Sequence, residues 1–324
     1  MRLRLEWRPF RFALRQPLRT SRAVLQERSG WLLRLKDVEG RCGWGEVAPL
    51  DPALRPVCET QLRSLAPSPT REQLDLSLVH AAAPLAFGLG AALAELDGLV
   101  GERSPQGWLP PPPSALLLPA GGAMLEVLEQ LLRTPRPDTP LTLKWKVATE
   151  PDEQEWSLLS ALLERLPSDA SLRLDANGGW DRSTAERWMR RLVDDPRLAW
   201  LEQPLAPQDH AGLQALAAIG PVALDESLDE LPSLRDSWDG WQVRRPLIEG
   251  DPRPLLMALQ KKQAPRVMIS TAFETGIGRR WIVHLAALQL GGSTPVAPGL
   301  APGWCPDGGL FSDDPNRVWD AASR

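Results

Sequence analysis

The chain has 324 residues, 43% hydrophobic, with a formal net charge of −4 and a pI near 5.6. Such a length buries a large core and exceeds the roughly 250 residues of a single β/α barrel, so a second, smaller domain is expected. Dispersed Lys and Arg argue against a nucleic-acid or anionic-membrane partner, and no apolar run reaches the roughly 20 residues that a membrane span needs.

The opening stretch MRLRLEWRPFRFALRQ alternates apolar and basic residues, where a secretory signal would show a continuous apolar run. A soluble, cytoplasmic protein is expected, as a monomer or a homo-oligomer. Residues 3–7 and 11–15 read as paired strands, and WLLRLKDVEGRCGWGEVAPL as a hairpin turning near 37–40. Helices are predicted over 52–65, 70–79 and 84–100, which makes 1–112 a small α+β domain. Four prolines at 110–113 form a stiff junction. From 113 to 300 the pattern alternates. Strand-like ALLLPAGG, LTLKWKVA, SLRLDANGG, LAWLEQPL, PVALDES, GWQVRRP, RVMISTAFET and TPVAPGL are separated by helices predicted at 124–133, 151–166, 183–193, 210–218, 228–236, 252–262 and 278–290. Ser183 and Glu186 are placed as the cap and N3 residue of the third of these helices. The fold class is α/β: a (β/α)7β TIM-like barrel with an α+β capping domain, to which the tail 301–324 returns.

Charged residues fall at the C-terminal ends of successive strands. Asp175 and Glu202 are 27 residues apart, and Glu202 and Asp225 are 23 apart, about one β/α unit each. Three carboxylates at one barrel mouth suit a hard divalent cation, Mg²⁺ or Mn²⁺, and leave coordination positions for water and a small-molecule carboxylate substrate. Any one of them alone reads equally well as a helix cap. Lys144 and Lys146 are two apart and share a face, with Trp145 pointing to the helical layer. Mutual repulsion and partial desolvation are expected to lower a lysine pKa there and to permit a neutral amine base. Arg173 has the parity of Asp175, and Asn177 follows the strand as a hydrogen-bonding neighbour. Arg245 ends the sixth strand, as a cation flanking the substrate or as a surface residue. Ser270 and Thr271 end the seventh, as binders of a second carboxylate or as helix caps. The three cysteines are scattered, the three histidines show no ligand spacing, and the absence of tyrosine removes phenols as acids or bases.

On these residues the chain resembles the enolase superfamily, muconate-lactonising subgroup. ERSGWLLRLKD, GWGEVAPL, LKWKVA, LRLDANGGW, LEQPL, LDES and ISTAFETGIG carry the likeness from Glu27 to Gly278. It is nearest to a dehydratase branch that converts the cyclohexadiene carboxylate SHCHC to o-succinylbenzoate for menaquinone or phylloquinone synthesis. The resemblance implies Mg²⁺ on Asp175, Glu202 and Asp225, and Lys146 as the base that removes the α-proton and then assists hydroxide departure. It implies Lys144 as a partner that tunes Lys146, and a loop near 20–22 that closes over substrate. The subgroup carries Lys where this chain has Arg245. A guanidinium does not ordinarily act as a base, which argues against two-base epimerisation and leaves one-face dehydration intact. A cycloisomerase, a dipeptide epimerase and a non-catalytic barrel are the alternatives.

Overall fold

The computed structural model describes residues 2–19, 24–134, 140–301 and 303–322. Their packing divides them into two compact units, one of 1–113, 244–265 and 269–324 and one of 114–243 and 266–268. The loop near 20–22 lies outside the described residues.

The first unit starts with an antiparallel sheet in the order β1 (Arg4–Arg19), β2 (Val24–Lys36), β3 (Cys42–Val47). The two short paired strands expected at 3–7 and 11–15 are instead one long strand, running alongside β2 with Leu5 opposite Leu35 and Phe10 opposite Gly30. Pro9 does not end it because β1 is an edge strand, where a missing N–H leaves no ladder bond unmade. The register shifts between Ala13 and Leu18, a stretch that contains Pro17. The β2–β3 turn is held by Asp37, whose carboxylate accepts from the Glu39 and Arg41 amides, with Gly40 at φ 81°. α1 (Leu54–Ser64), α2 (Arg71–His80) and α3 (Ala83–Leu96) follow. α3 is almost wholly buried and lies directly on β3. A Cβ at Gly45 would come within 1.9 Å of the Gly88 carbonyl oxygen, so this approach requires glycine.

The second unit alternates β4 (Leu116–Leu118), α4 (Ala123–Arg133), β5 (Thr142–Lys146), α5 (Asp152–Arg165), β6 (Ser171–Asp175), α6 (Arg182–Leu192), β7 (Leu198–Glu202), α7 (His210–Ala217), β8 (Val222–Leu224), α8 (Glu226–Glu230), α9 (Leu234–Ser237) and β9 (Trp241–Arg244). After α10 (Arg253–Gln260), β10 (Val267–Ile269) completes a seven-stranded sheet in the order β10-β9-β8-β7-β6-β5-β4, with parallel pairing from β4 to β9. Leu143, Trp145, Leu172, Leu174 and Leu201 join residues of α4–α7 in one core, where the Trp145 ring meets Trp188 of α6 at 6.5 Å. This is the outward direction expected for Trp145.

Three local expectations are corrected. Asp181, not Ser183, caps α6: its carboxylate accepts from the Thr184 amide, and the Ser183 hydroxyl donates to the same carboxylate. A carboxylate two residues earlier, at the N-cap itself, is placed to accept the Thr184 amide. The single helix expected at 228–236 is split into α8 and α9 around Pro232, which cannot continue a helix. TPVAPGL, expected as the last strand, carries two prolines and contributes a single parallel bridge, Ser270 to Gly299.

The chain ends with α11 (Gly276–Leu290) and α12 (Pro315–Ala321) in the first unit. Trp319 of α12 meets Trp44 at 5.6 Å, lies under the Arg34 guanidinium at 4.5 Å, and its carbonyl accepts from Arg8 at 2.8 Å. Among the described residues no helix is long and apolar enough to cross a membrane.

Candidate active site

Strand register sets the site of the second unit in two layers. Lys144 is level with Arg173, and Arg173 with Trp200. Two residues further along, Lys146 is level with Asp175, and Asp175 with Glu202. Asp225 follows β8 directly, two positions past Ala223, the partner of Glu202. The three carboxylates are 1%, 0% and 2% exposed, so each must be compensated locally.

Lys144 supplies much of that compensation. Its ammonium lies 2.7 Å from Asp175 Oδ2 and 2.6 Å from Glu202 Oε1. The lowered lysine pKa expected from repulsion does not hold for Lys144. Burial does work against its charge, but attraction from Asp175, Glu202 and Asp225 outweighs this and holds the ammonium well above the ordinary lysine value. Burial likewise acts to raise the Asp175 carboxyl, yet Lys144, Lys146 and the Asn177 amide together hold it below the usual carboxylate range.

The donor set fits Mg²⁺ in its chemistry: three buried, hard, anionic oxygen donors on adjacent strand ends. Among the described residues, no three His, Cys, Asp or Glu side chains converge as a ligand group. Mutually repelling carboxylates turn instead toward the nearest positive charge, and Lys144 takes up two of them.

Asn177, at φ 45°, donates its amide N–H to Asp175 Oδ1 at 3.0 Å and its side-chain N–H to Glu226 Oε1 at 3.0 Å. Arg173 is 1% exposed and stacks over Trp200, 4.2 Å from the ring centroid; burial pushes its guanidinium down to about 10 against the pull of Glu202. The Trp200 indole donates to Glu202 Oε2 at 3.3 Å. Arg245, Ser270 and Thr271 belong to the first unit. Arg245 is one residue past β9, and its amide donates to Glu249, which also pairs with Arg244 at 2.7 Å. The Ser270 hydroxyl donates to the Gly299 carbonyl at 3.2 Å, and the Thr271 hydroxyl to Glu274 at 2.6 Å. Both hydroxyl protons therefore already have protein acceptors.

Sequence reading passed over several members. Glu226 sits beside Asp225 in LDES, and Gln203 beside Glu202 in LEQPL. The first unit also holds an unforeseen buried charge cluster of Arg28, Glu46 and Glu274. Glu46 accepts from the Thr275 amide, the Thr275 hydroxyl at 2.6 Å and the Gly278 amide at 3.0 Å, at the start of α11. Arg28 donates at 2.7 Å to the carbonyls of Ala48 and Pro49. Burial and the Glu274 carboxylate push Glu46 up to about 7. ERSG, GWGE and FETG signalled these residues, but only as parts of matching motifs.

Comparison with known proteins agrees with this geometry. Residues 140–239 match the family described as enolase C-terminal domain-like. An o-succinylbenzoate synthase from Thermosynechococcus vestitus is 34% identical over 87% of this chain and 88% of its own, and one from Edwardsiella ictaluri is 30% identical over 84% and 82%. The crystal structure of o-succinylbenzoate synthase from Thermosynechococcus elongatus BP-1, complexed with Mg in its active site, superposes with a TM-score of 0.81 at 32% identity, covering 98% of this chain and 99% of that one. A dipeptide epimerase from Enterococcus faecalis, 20% identical with a TM-score of 0.72 over 93% of each chain, shares the fold. The capping-domain-plus-barrel fold, the buried lysine–carboxylate cluster and a relative of this identity over most of the chain lead to one assignment: the chain belongs to the o-succinylbenzoate synthase family of the enolase superfamily.

Proposed function

We propose that this chain catalyses the Mg²⁺-dependent syn-dehydration of SHCHC to o-succinylbenzoate, a carbon–oxygen lyase step of menaquinone or phylloquinone synthesis. The observation that carries the reading is the Lys144–Asp175–Glu202 cluster, with Lys146 and Asp225 in its field. Asp175, Glu202 and Asp225 would hold the metal. When bound, Mg²⁺ supplies Lewis-acid stabilisation of the charge that develops on the substrate carboxylate.

Lys146 takes the α-proton and returns it to the departing hydroxyl on the same face. The C–H and C–O bonds break, water leaves and the ring becomes aromatic. Lys144 stays an ammonium and contributes fixed positive charge to the carboxylate side. Arg245 supplies a cation that takes no part in proton transfer, Arg173 and Asn177 complete the substrate contacts, and Ser270 and Thr271 take a second carboxylate by exchanging their Gly299 and Glu274 acceptors for it. Residues 1–112 with the tail 301–324 serve as the capping domain, and 113–300 as the catalytic barrel. The reading is of a cytoplasmic enzyme acting on a small molecule, with no nucleic-acid or membrane partner. Turnover of SHCHC that depends on Mg²⁺ and stops with chelator is expected; a purified, folded enzyme that leaves SHCHC unchanged with Mg²⁺ present overturns the reading.

A further inference from the structure

Gln203 has no exposed surface and stands immediately after Glu202, with its backbone in the left-handed region at φ 37°. Every hydrogen-bonding atom it has is engaged. Its amide donates to the Ala223 carbonyl at 2.8 Å, and its carbonyl accepts from the Gly178 amide at 2.7 Å. Its side-chain oxygen accepts from the Asp225 amide at 3.1 Å and the Ser227 amide at 3.0 Å. Its side-chain nitrogen donates to the Leu205 carbonyl at 3.0 Å and the Ser227 hydroxyl at 2.8 Å.

These bonds reach three strand ends. Gly178 follows β6 and Asp175, Gln203 follows β7 and Glu202, and Asp225 follows β8. The parallel ladder ends where the chain turns at Gln203, and the amides beyond β8 would be buried without partners. The carboxamide acts there as a detached peptide group: one acceptor for two amides and two donors for oxygens on the other side. Only glutamine has this length and this pair of functions. A carboxylate would offer no donor to Leu205 or Ser227, and an aliphatic chain would leave two buried N–H groups unmet.

We infer that Gln203 is a positioning residue that fixes the spacing of Glu202 and Asp225, and so sets the selectivity of the site for Mg²⁺ over larger divalent cations. This rests on the proposed metal site. Mg²⁺ demands near-ideal octahedral geometry at about 2.0–2.1 Å, whereas Ca²⁺ accepts looser arrangements at about 2.3–2.6 Å. Loss of the clamp should therefore penalise Mg²⁺ more than Ca²⁺, a signature that general destabilisation does not produce.

The test is calorimetric titration of Mg²⁺ and of Ca²⁺ into metal-stripped enzyme, without substrate, for the parent, Gln203→Glu, Gln203→Met and Ser227→Ala. Gln289→Met, which removes a buried carboxamide of α11 that donates to Thr294, is the control for stability loss alone. Folding of each is checked by its thermal transition. Gln203→Met or Gln203→Glu is expected to weaken Mg²⁺ binding about tenfold or more, with Ca²⁺ weakened less, so that the Mg²⁺/Ca²⁺ affinity ratio falls. Ser227→Ala should move the ratio in the same direction by less, and Gln289→Met should leave it unchanged. If the folded Gln203 variants keep the parent ratio, the inference is wrong. Should neither Gln203 variant fold, an unchanged ratio in Ser227→Ala overturns it. A parent enzyme that binds neither cation instead overturns the metal reading itself, which separates the two failures.

Discussion

Lys144 and Lys146 are two residues apart on one strand, yet they have different neighbours. Lys144 bridges two carboxylates and is committed to its charge. This leaves Lys146 as the proton carrier, and Lys146→Ala should lower turnover at least about a thousandfold, because base and acid are lost together. Mg²⁺ affinity, measured by titration, should survive; retention of more than about a tenth of parent activity would place the base elsewhere. Arg245→Met should cost about 2–4 kcal/mol of transition-state stabilisation in kcat/KM, while Arg245→Lys keeps dehydration, since only a fixed charge is required. Fast exchange of the α-proton of both enantiomers of an N-acylamino acid would show a second base and refute that role. At this scale the carboxylates were legible because an apolar strand ending in an acid repeats at barrel period. Gln203 and Glu226 were not. A polar residue beside a conspicuous acid reveals nothing in sequence about the amides it meets on another strand.

Glu155 shows how an element holds a site strand in place. It lies in the first turn of α5, is fully buried, and accepts from the amides of Ala148 at 2.8 Å, Thr149 at 2.9 Å and Glu150 at 3.1 Å. These are the residues that follow Lys146, and Ala148 is in the left-handed region at φ 59°. Glu155→Ala should destabilise the fold by about 2–4 kcal/mol in urea denaturation, by leaving buried amides unmet. An effect below about 0.5 kcal/mol would mean that the loop finds other partners. The β/α alternation itself was legible from hydrophobic segments and their spacing. β1 was misread because Pro9 looks like a strand break unless the strand is known to be an edge. The last strand was misread because TPVAPGL has the apolar content of a strand, while its prolines remove the donors that a ladder needs.

At the scale of the whole molecule, His284 links stability to pH. It is buried on α11, its Nδ1 accepts from the Leu109 amide at 3.2 Å, and burial pushes its pKa down to about 4. The unfolded value is about 6.5, so the folded state resists a proton that the unfolded state takes up. Its contribution is full above about pH 6.5 and is lost as the pH falls toward 4. Denaturation curves across that window should show the parent losing stability that His284→Gln does not lose; equal slopes would remove His284 from the account. The Glu46 contacts bear on a different matter, the order in which the chain is made. Residues 114–243 form an almost continuous unit, whose partners are all synthesised before α11 exists. The first unit is split, and Glu46 meets Thr275 only 229 positions later. On a ribosome, the first hundred residues emerge carrying a carboxylate and an arginine that the finished fold buries, with part of their contacts not yet translated. The amino-terminal unit is therefore the last to close, and a nascent chain stopped before residue 275 should present a folded middle between an unfinished beginning and a missing end.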